Sequence, residues 1–121
     1  MLNAKAEQLK ARSKRFAVRI VDLYRQLPRT EEARVLGRQL LRSATSVAAN
    51  SRAACRGRSR AEFLSKLGDA QKELEETIYW MELLVDSGTF PPAKMLLLQK
   101  ESAELMSIFS ASIKTARFSR S

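Results

Sequence analysis

The chain is predicted to be all-α: an antiparallel up-down-up-down four-helix bundle that forms one domain over residues 1–121. Three observations predict it. Gly and Pro are scarce, 4 and 3 residues of 121, and the composition is rich in Ala, Leu, Arg, Glu and Lys, which favour helix. Apolar residues recur at steps of three and four through most of the chain. The helix-breaking and capping residues cluster at three places, leaving connections so short that neighbouring helices must pack antiparallel.

The first helix is expected over residues 3–27. Its stripe is Leu9, Phe16, Ile20, Leu23 and Leu27, and Pro28 stops it because proline lacks an amide and disfavours helix in the residue before it. The second, over 31–56, has Thr30 as N-cap and Glu31 and Glu32 in the dipole-favoured first turn. Its inner stripe is read as Leu36, Leu40, Ser43, Val47, Asn50 and Ala54, with Gly57 placed to end it. The third, over 60–87, starts on the clearest signal in the chain, the Ser59/Glu62 capping box. Phe63, Leu67, Ala70, Leu74, Ile78, Met81 and Leu84 form its stripe, and Gly88 sits where a left-handed C′ residue belongs. The fourth, over 92–116, opens on Pro91–Pro92, where missing amides cost little. Met95, Leu98, Ser102, Leu105, Phe109 and Ala116 face inward. The tail beyond Ala116 is expected to fray.

Composition excludes several classes of function. Hydrophobic residues make up 45% and charged residues 29%, the balance of a globular chain. There is no His and only one Cys, so neither an intrachain disulfide nor a Cys/His zinc site can form. The longest wholly apolar run, Met95–Leu98, falls far short of the roughly 20 residues that span a bilayer. No apolar core of a secretory signal is present, and a reduced, cytoplasmic protein is expected. Leu2, Leu9, Phe16 and Ile20 would suit a membrane-surface helix, but the bundle core needs the same stripe.

Catalysis finds little support. Glu62, Glu73, Glu76 and Glu101 sit on bundle helices, as di-iron ligands do, yet such sites require Glu-x-x-His pairs and this chain has no His. Cys55 lacks a base partner and reads as a packed or interface thiol. No enzyme activity, metal or cofactor is expected.

From Ser43 to Cys55 nearly every side chain is small, which lets another helix approach closely. Asn50, placed on the inner stripe, would need partners for its amide, and a buried Asn of this kind can fix register or oligomeric state. The run Leu36-Gly37-Arg38-Gln39-Leu40-Leu41-Arg42-Ser43-Ala44-Thr45-Ser46-Val47-Ala48-Ala49-Asn50 resembles the signature of a four-helix-bundle family. Its members are related to the proteins encoded in intervening sequences of bacterial large-subunit ribosomal RNA. Ser59 to Leu67 and Glu73 to Leu84 are similar to that family too, so the resemblance spans roughly residues 10–90. It implies an antiparallel bundle that assembles into a small homo-oligomeric ring, with a pentamer favoured. It further implies nucleic acid as a partner, and a reverse transcriptase as a possible protein partner, as for the accessory proteins of diversity-generating retroelements.

Charge points in the same direction. Residues 1–60 hold 15 Lys+Arg against 4 Asp+Glu, while residues 61–121 hold 7 against 9. Of the 15 basic residues in the first half, 12 are Arg, whose planar fork suits phosphate. Arg34, Arg38 and Arg42 share a helix face at i, i+4, i+8, and Arg52 and Arg56 repeat the spacing. Arg58 and Arg60 follow at the turn, and Arg12, Arg15 and Arg19 form a ridge with Lys5 on the first helix. These ten arginines are the candidate nucleic-acid-binding residues, contacting RNA or DNA backbone without reading bases. The competing reading is a homo-oligomeric scaffold whose basic face docks an acidic protein.

Overall fold

The computed structural model describes residues 4–118. Four helices follow in order: α1 (Ala4–Gln26), α2 (Glu31–Cys55), α3 (Arg60–Asp86) and α4 (Pro92–Arg117). Their ends lie within one residue of the expected bounds, apart from residue 3, which falls outside the described residues. Of the tail, Arg117 is still helical and Phe118 caps α4; Ser119–Ser121 lie outside the described residues.

The helix boundaries have local causes. Thr30 Oγ1 accepts the Ala33 amide at 3.2 Å, and Ser59 Oγ accepts the Glu62 amide at 3.1 Å. The Glu62 carboxylate reaches back to the Arg58 amide, one residue beyond its usual capping-box target. Gly88 has φ 73° and lets the amides of Thr89 and Phe90 turn back to the Leu84 carbonyl, as a glycine at C′ does. Gly57 does not play that part for α2. Arg56 caps the helix through its amide to the Ala53 carbonyl, and the chain turns without a left-handed residue.

The contacts and the short turns between consecutive helices together establish the direction of the helices. Between α1 and α2, the Tyr24 ring lies over Gly37, Ser13 meets Ser51, and Cys55 Sγ reaches the Ala6 carbonyl. As the α1 number falls the α2 number rises, so the two run antiparallel. Arg42 with Glu76 and Ser43 with Thr77 join α2 to α3. Gln71 with Ser110 joins α3 to α4, and Arg12 with Glu101 joins α4 back to α1. Each helix touches its two neighbours in this ring and not the helix diagonally opposite. The result is a closed square of four helices.

Phe16 and Ile20 of α1, Leu40 and Val47 of α2, Leu67, Leu74 and Met81 of α3, and Met95, Leu105 and Phe109 of α4 are fully buried. The apolar stripe of α1 is therefore taken up by the core. Among the described residues no helix is long and apolar enough to cross a membrane. The expected stripe of α2 needs one correction. Asn50 is only half-buried and turns its amide to the Ser46 carbonyl of its own helix at 3.0 Å, while the next residue, Ser51, takes the buried place. Adjacent helical residues lie about 100° apart, and here the smaller side chain fits against α1. Likewise Thr77 is buried and Ile78 only partly so.

Among the described residues the buried polar side chains are all hydroxyls. Ser13 pairs with Ser51 at 3.1 Å and Thr77 with Ser43 at 2.8 Å, so α2 is bonded by small side chains to both neighbours. Gly37 marks its closest approach to α1. A Cβ added there would lie 2.6 Å from Leu27 Cδ1 and 3.2 Å from the Tyr24 ring. The Leu27 methyl can swing away, and alanine gains about 1 kcal/mol of helix propensity over glycine. Gly37→Ala should therefore stay within about 1 kcal/mol of wild type, whereas Gly37→Leu overpacks the crossing and should cost about 2 kcal/mol or more. Urea titration of both variants checks this.

Candidate nucleic-acid interface

The turn between α2 and α3 lies at the same end of the bundle as the start of α1 and the end of α4. That end gathers cations from every helix. Lys5 and Lys10 come from α1, Arg52 and Arg56 from the end of α2, and Arg58 from the turn. Arg60 and Lys66 come from the first turns of α3, and Lys114 and Arg117 from the last turns of α4. Against these nine stand two acids, Glu7 and Glu62. The other described residues hold 12 Lys+Arg and 11 Asp+Glu. Nearly all of the excess positive charge thus sits at one pole, and the opposite pole is close to neutral.

This differs from the distribution expected from the sequence. The excess was placed on the first two helices as long basic faces. In three dimensions it belongs to an end of the molecule, to which α3 and α4 contribute as well. Lys10, Lys66, Lys114 and Arg117 also lie at this end, which the charge runs of the first two helices do not reveal. The usable signal was distance from the turns, since in a bundle with short connections residues equally far from a turn lie at the same height.

The ten singled-out arginines separate into two groups. Arg52, Arg56 and Arg58 lie exposed at the basic pole and form no ion pair among the described residues. Arg60, half-buried, joins them there. Arg15, Arg19 and Arg38 are also exposed and unpaired among those residues, but lie along the sides of the bundle. Arg34 pairs with Glu31 one turn away at 2.9 Å.

Arg42 and Arg12 hold helices together. Arg42 reaches across to Glu73 at 3.4 Å and to Glu76. Glu76 also accepts the Trp80 indole N–H at 3.1 Å, and the Trp80 ring meets Tyr79 edge-on at 5.1 Å. Arg12 bonds Glu101 in bidentate fashion, Nε at 2.8 Å and Nη2 at 2.9 Å, and Nη2 also meets Glu104 at 2.7 Å. The Arg12 guanidinium holds the Glu101 carboxyl below its ordinary range, and the two carboxylates raise Arg12 in turn.

The carboxylates weighed as metal ligands are therefore engaged elsewhere: Glu101 with Arg12, Glu73 and Glu76 with Arg42, and Glu62 with a helix start. Among the described residues no group of three or more potential metal ligands converges. Cys55 is buried, its Sγ 3.2 Å from the Ala6 carbonyl, and burial pushes its thiol pKa up, which opposes nucleophilic use.

A carboxylate whose folded pKa is depressed contributes stability above its unfolded pKa and loses it as pH falls through the folded value. Wild type should therefore lose stability below the ordinary glutamate value of 4.5. Glu101→Gln should cost about 1–2 kcal/mol near neutral pH and flatten that acid-side fall, since a charge-assisted bond is replaced by a neutral one. Denaturant midpoints for both proteins from neutral pH into the acid range measure it.

Comparison with known proteins places the fold. No curated protein matches the chain. A crystal structure from Bacteroides thetaiotaomicron, described as a protein of unknown function from the S23 ribosomal protein family, superposes with a TM-score of 0.85 at 40% identity. The match covers 92% of this chain and 99% of that one. The model of the family described as 23S rRNA-intervening sequence protein matches residues 6–111. With that span matched, and the same four-helix architecture in its structural neighbour, the chain belongs to the 23S rRNA-intervening sequence protein family.

Proposed function

We propose that this protein is a non-catalytic, self-associating bundle that holds nucleic-acid backbone against its basic pole without reading base sequence. The concentration of nine cations against two acids at one end carries the reading. Residues from four helix termini lie at that end, and Arg52, Arg56 and Arg58 form no ion pair among the described residues. RNA is the favoured polymer, in keeping with the ribosomal RNA from which the family takes its name.

The contacts are to phosphate, which positions a polymer without specifying it. Tyr79 and Trp80 are far along α3 from the pole; the exposed aromatic beside these cations is Phe118, next to Arg117, and stacking on its ring is tolerant of base identity. Self-association multiplies weak contacts, since copies joined in one particle raise the effective concentration of each further pole. A small ring, with five copies favoured, provides this.

The test is binding to generic RNA and duplex DNA across a salt series. Six phosphate contacts predict a fall of about a thousandfold in affinity between 50 and 200 mM salt. The triple variant Arg52→Gln, Arg56→Gln, Arg58→Gln should reduce the slope of log affinity against log salt by about 3. Arg42→Gln should leave that slope unchanged, because its charge is already matched by Glu73 and Glu76. Absent or salt-insensitive binding would overturn the proposal in favour of a scaffold that docks an acidic protein.

A further inference from the structure

α3 carries a second stripe that the bundle does not use. Glu75, Tyr79, Glu82 and Asp86 follow at i, i+4, i+7 and i+11, and all four are exposed. Tyr79 is 53% exposed, unusual for a large aromatic side chain. The three carboxylates form no ion pair among the described residues, although the chain has a large excess of cations. α1 carries the counterpart. Lys14, Val18, Val21 and Arg25 follow at the same i, i+4, i+7 and i+11 spacing. Val18 is also 53% exposed, and Lys14 has no ion pair among the described residues. The acid beside them, Asp22, is neutralised by Arg25 at 3.2 Å.

We propose that the acidic-aromatic stripe of α3 in one copy packs, in parallel and in register, on the basic-aliphatic stripe of α1 in the next copy. The pairing places Glu75 against Lys14, Tyr79 on Val18, Glu82 at the edge of Val21 and Asp86 against Arg25. Identical spacing lets all four positions align at once, with opposite charges facing at both ends and Tyr79 meeting Val18 between them. In a ring whose copies all point the same way, α3 of one copy and α1 of the next run parallel, as the two helices do within one up-down-up-down copy. They occupy opposite corners and do not touch, so one copy can present both stripes simultaneously. The contact is heterologous, and side-by-side copies all point their basic poles in one direction. The inference rests on the self-association proposed above and names the surfaces that produce it.

Sedimentation velocity on charge-reversed chains tests it. The first variant carries Glu75→Lys and Asp86→Lys; the second carries Lys14→Glu and Arg25→Glu. All four positions are exposed, and circular dichroism confirms that each variant keeps its fold. Each variant alone should associate at least about tenfold more weakly than wild type, because like charges now face each other. A chain carrying all four substitutions should assemble again, since the reversed α3 of each copy then faces the reversed α1 of the next in a ring of any size. If wild type assembles and both variants assemble equally well, the α1–α3 contact is wrong while self-association stands. If wild type is monomeric, self-association and this contact fall together. If both variants dissociate but the chain with all four substitutions does not assemble, the stripes meet surfaces other than each other and the pairing is refuted.

Discussion

The thinness of α2 is the constraint on which the molecule rests. Its inward side chains are Gly37, Ala44, Val47, Ser51 and Ala54, with Leu40 the only large one fully buried. Small side chains bring α1 and α3 close and forfeit apolar area in doing so. Hydroxyl pairs on both sides compensate: Ser13–Ser51 toward α1 and Ser43–Thr77 toward α3 satisfy each other's buried polar atoms. Among the described residues no buried side-chain nitrogen or oxygen lacks a partner. Because α2 is held firmly on two sides, the short turns at its ends fix where the ends of α1 and α3 must lie.

The charge layout follows from that frame. Acids on α3 and α4 are matched to specific arginines midway along the bundle, Arg42 with Glu73 and Glu76, and Arg12 with Glu101 and Glu104. These pairs lie between helices and consume cations that composition alone would count as available. The cations left over concentrate at the α2–α3 turn, where Glu62 is engaged with the Arg58 amide. The family relationship and the pole address different questions. One identifies the fold and its lineage; the other identifies a surface with a definite chemistry.

Most of the fold was legible from particular residues. Thr30, Ser59, Gly88 and the Pro91–Pro92 pair mark boundaries through local backbone chemistry, which depends little on the rest of the chain. All six residues assigned to the inner face of α4 are buried. The errors occur where two adjacent residues compete for one place, Asn50 with Ser51 and Ile78 with Thr77. That choice depends on the neighbouring helix, so periodicity alone does not determine it. The basic pole was half legible: Arg52 to Arg60 are visible as a cluster in the sequence, but Lys66, Lys114 and Arg117 join them only through the topology. The engagement of Arg12 and Arg42 was not legible, since each depends on an acid at least 31 residues away.

An up-down-up-down square has a further electrostatic consequence. Two helix N-termini, those of α1 and α3, meet two C-termini, those of α2 and α4, at the basic pole. The partial charges of the four peptide dipoles, about half an elementary charge each and of alternating sign, cancel there. The potential at that surface therefore comes from its side chains and owes almost nothing to the backbone. Because most of those side chains stand in solvent outside the core, the charge of that surface can be altered one substitution at a time without disturbing the fold.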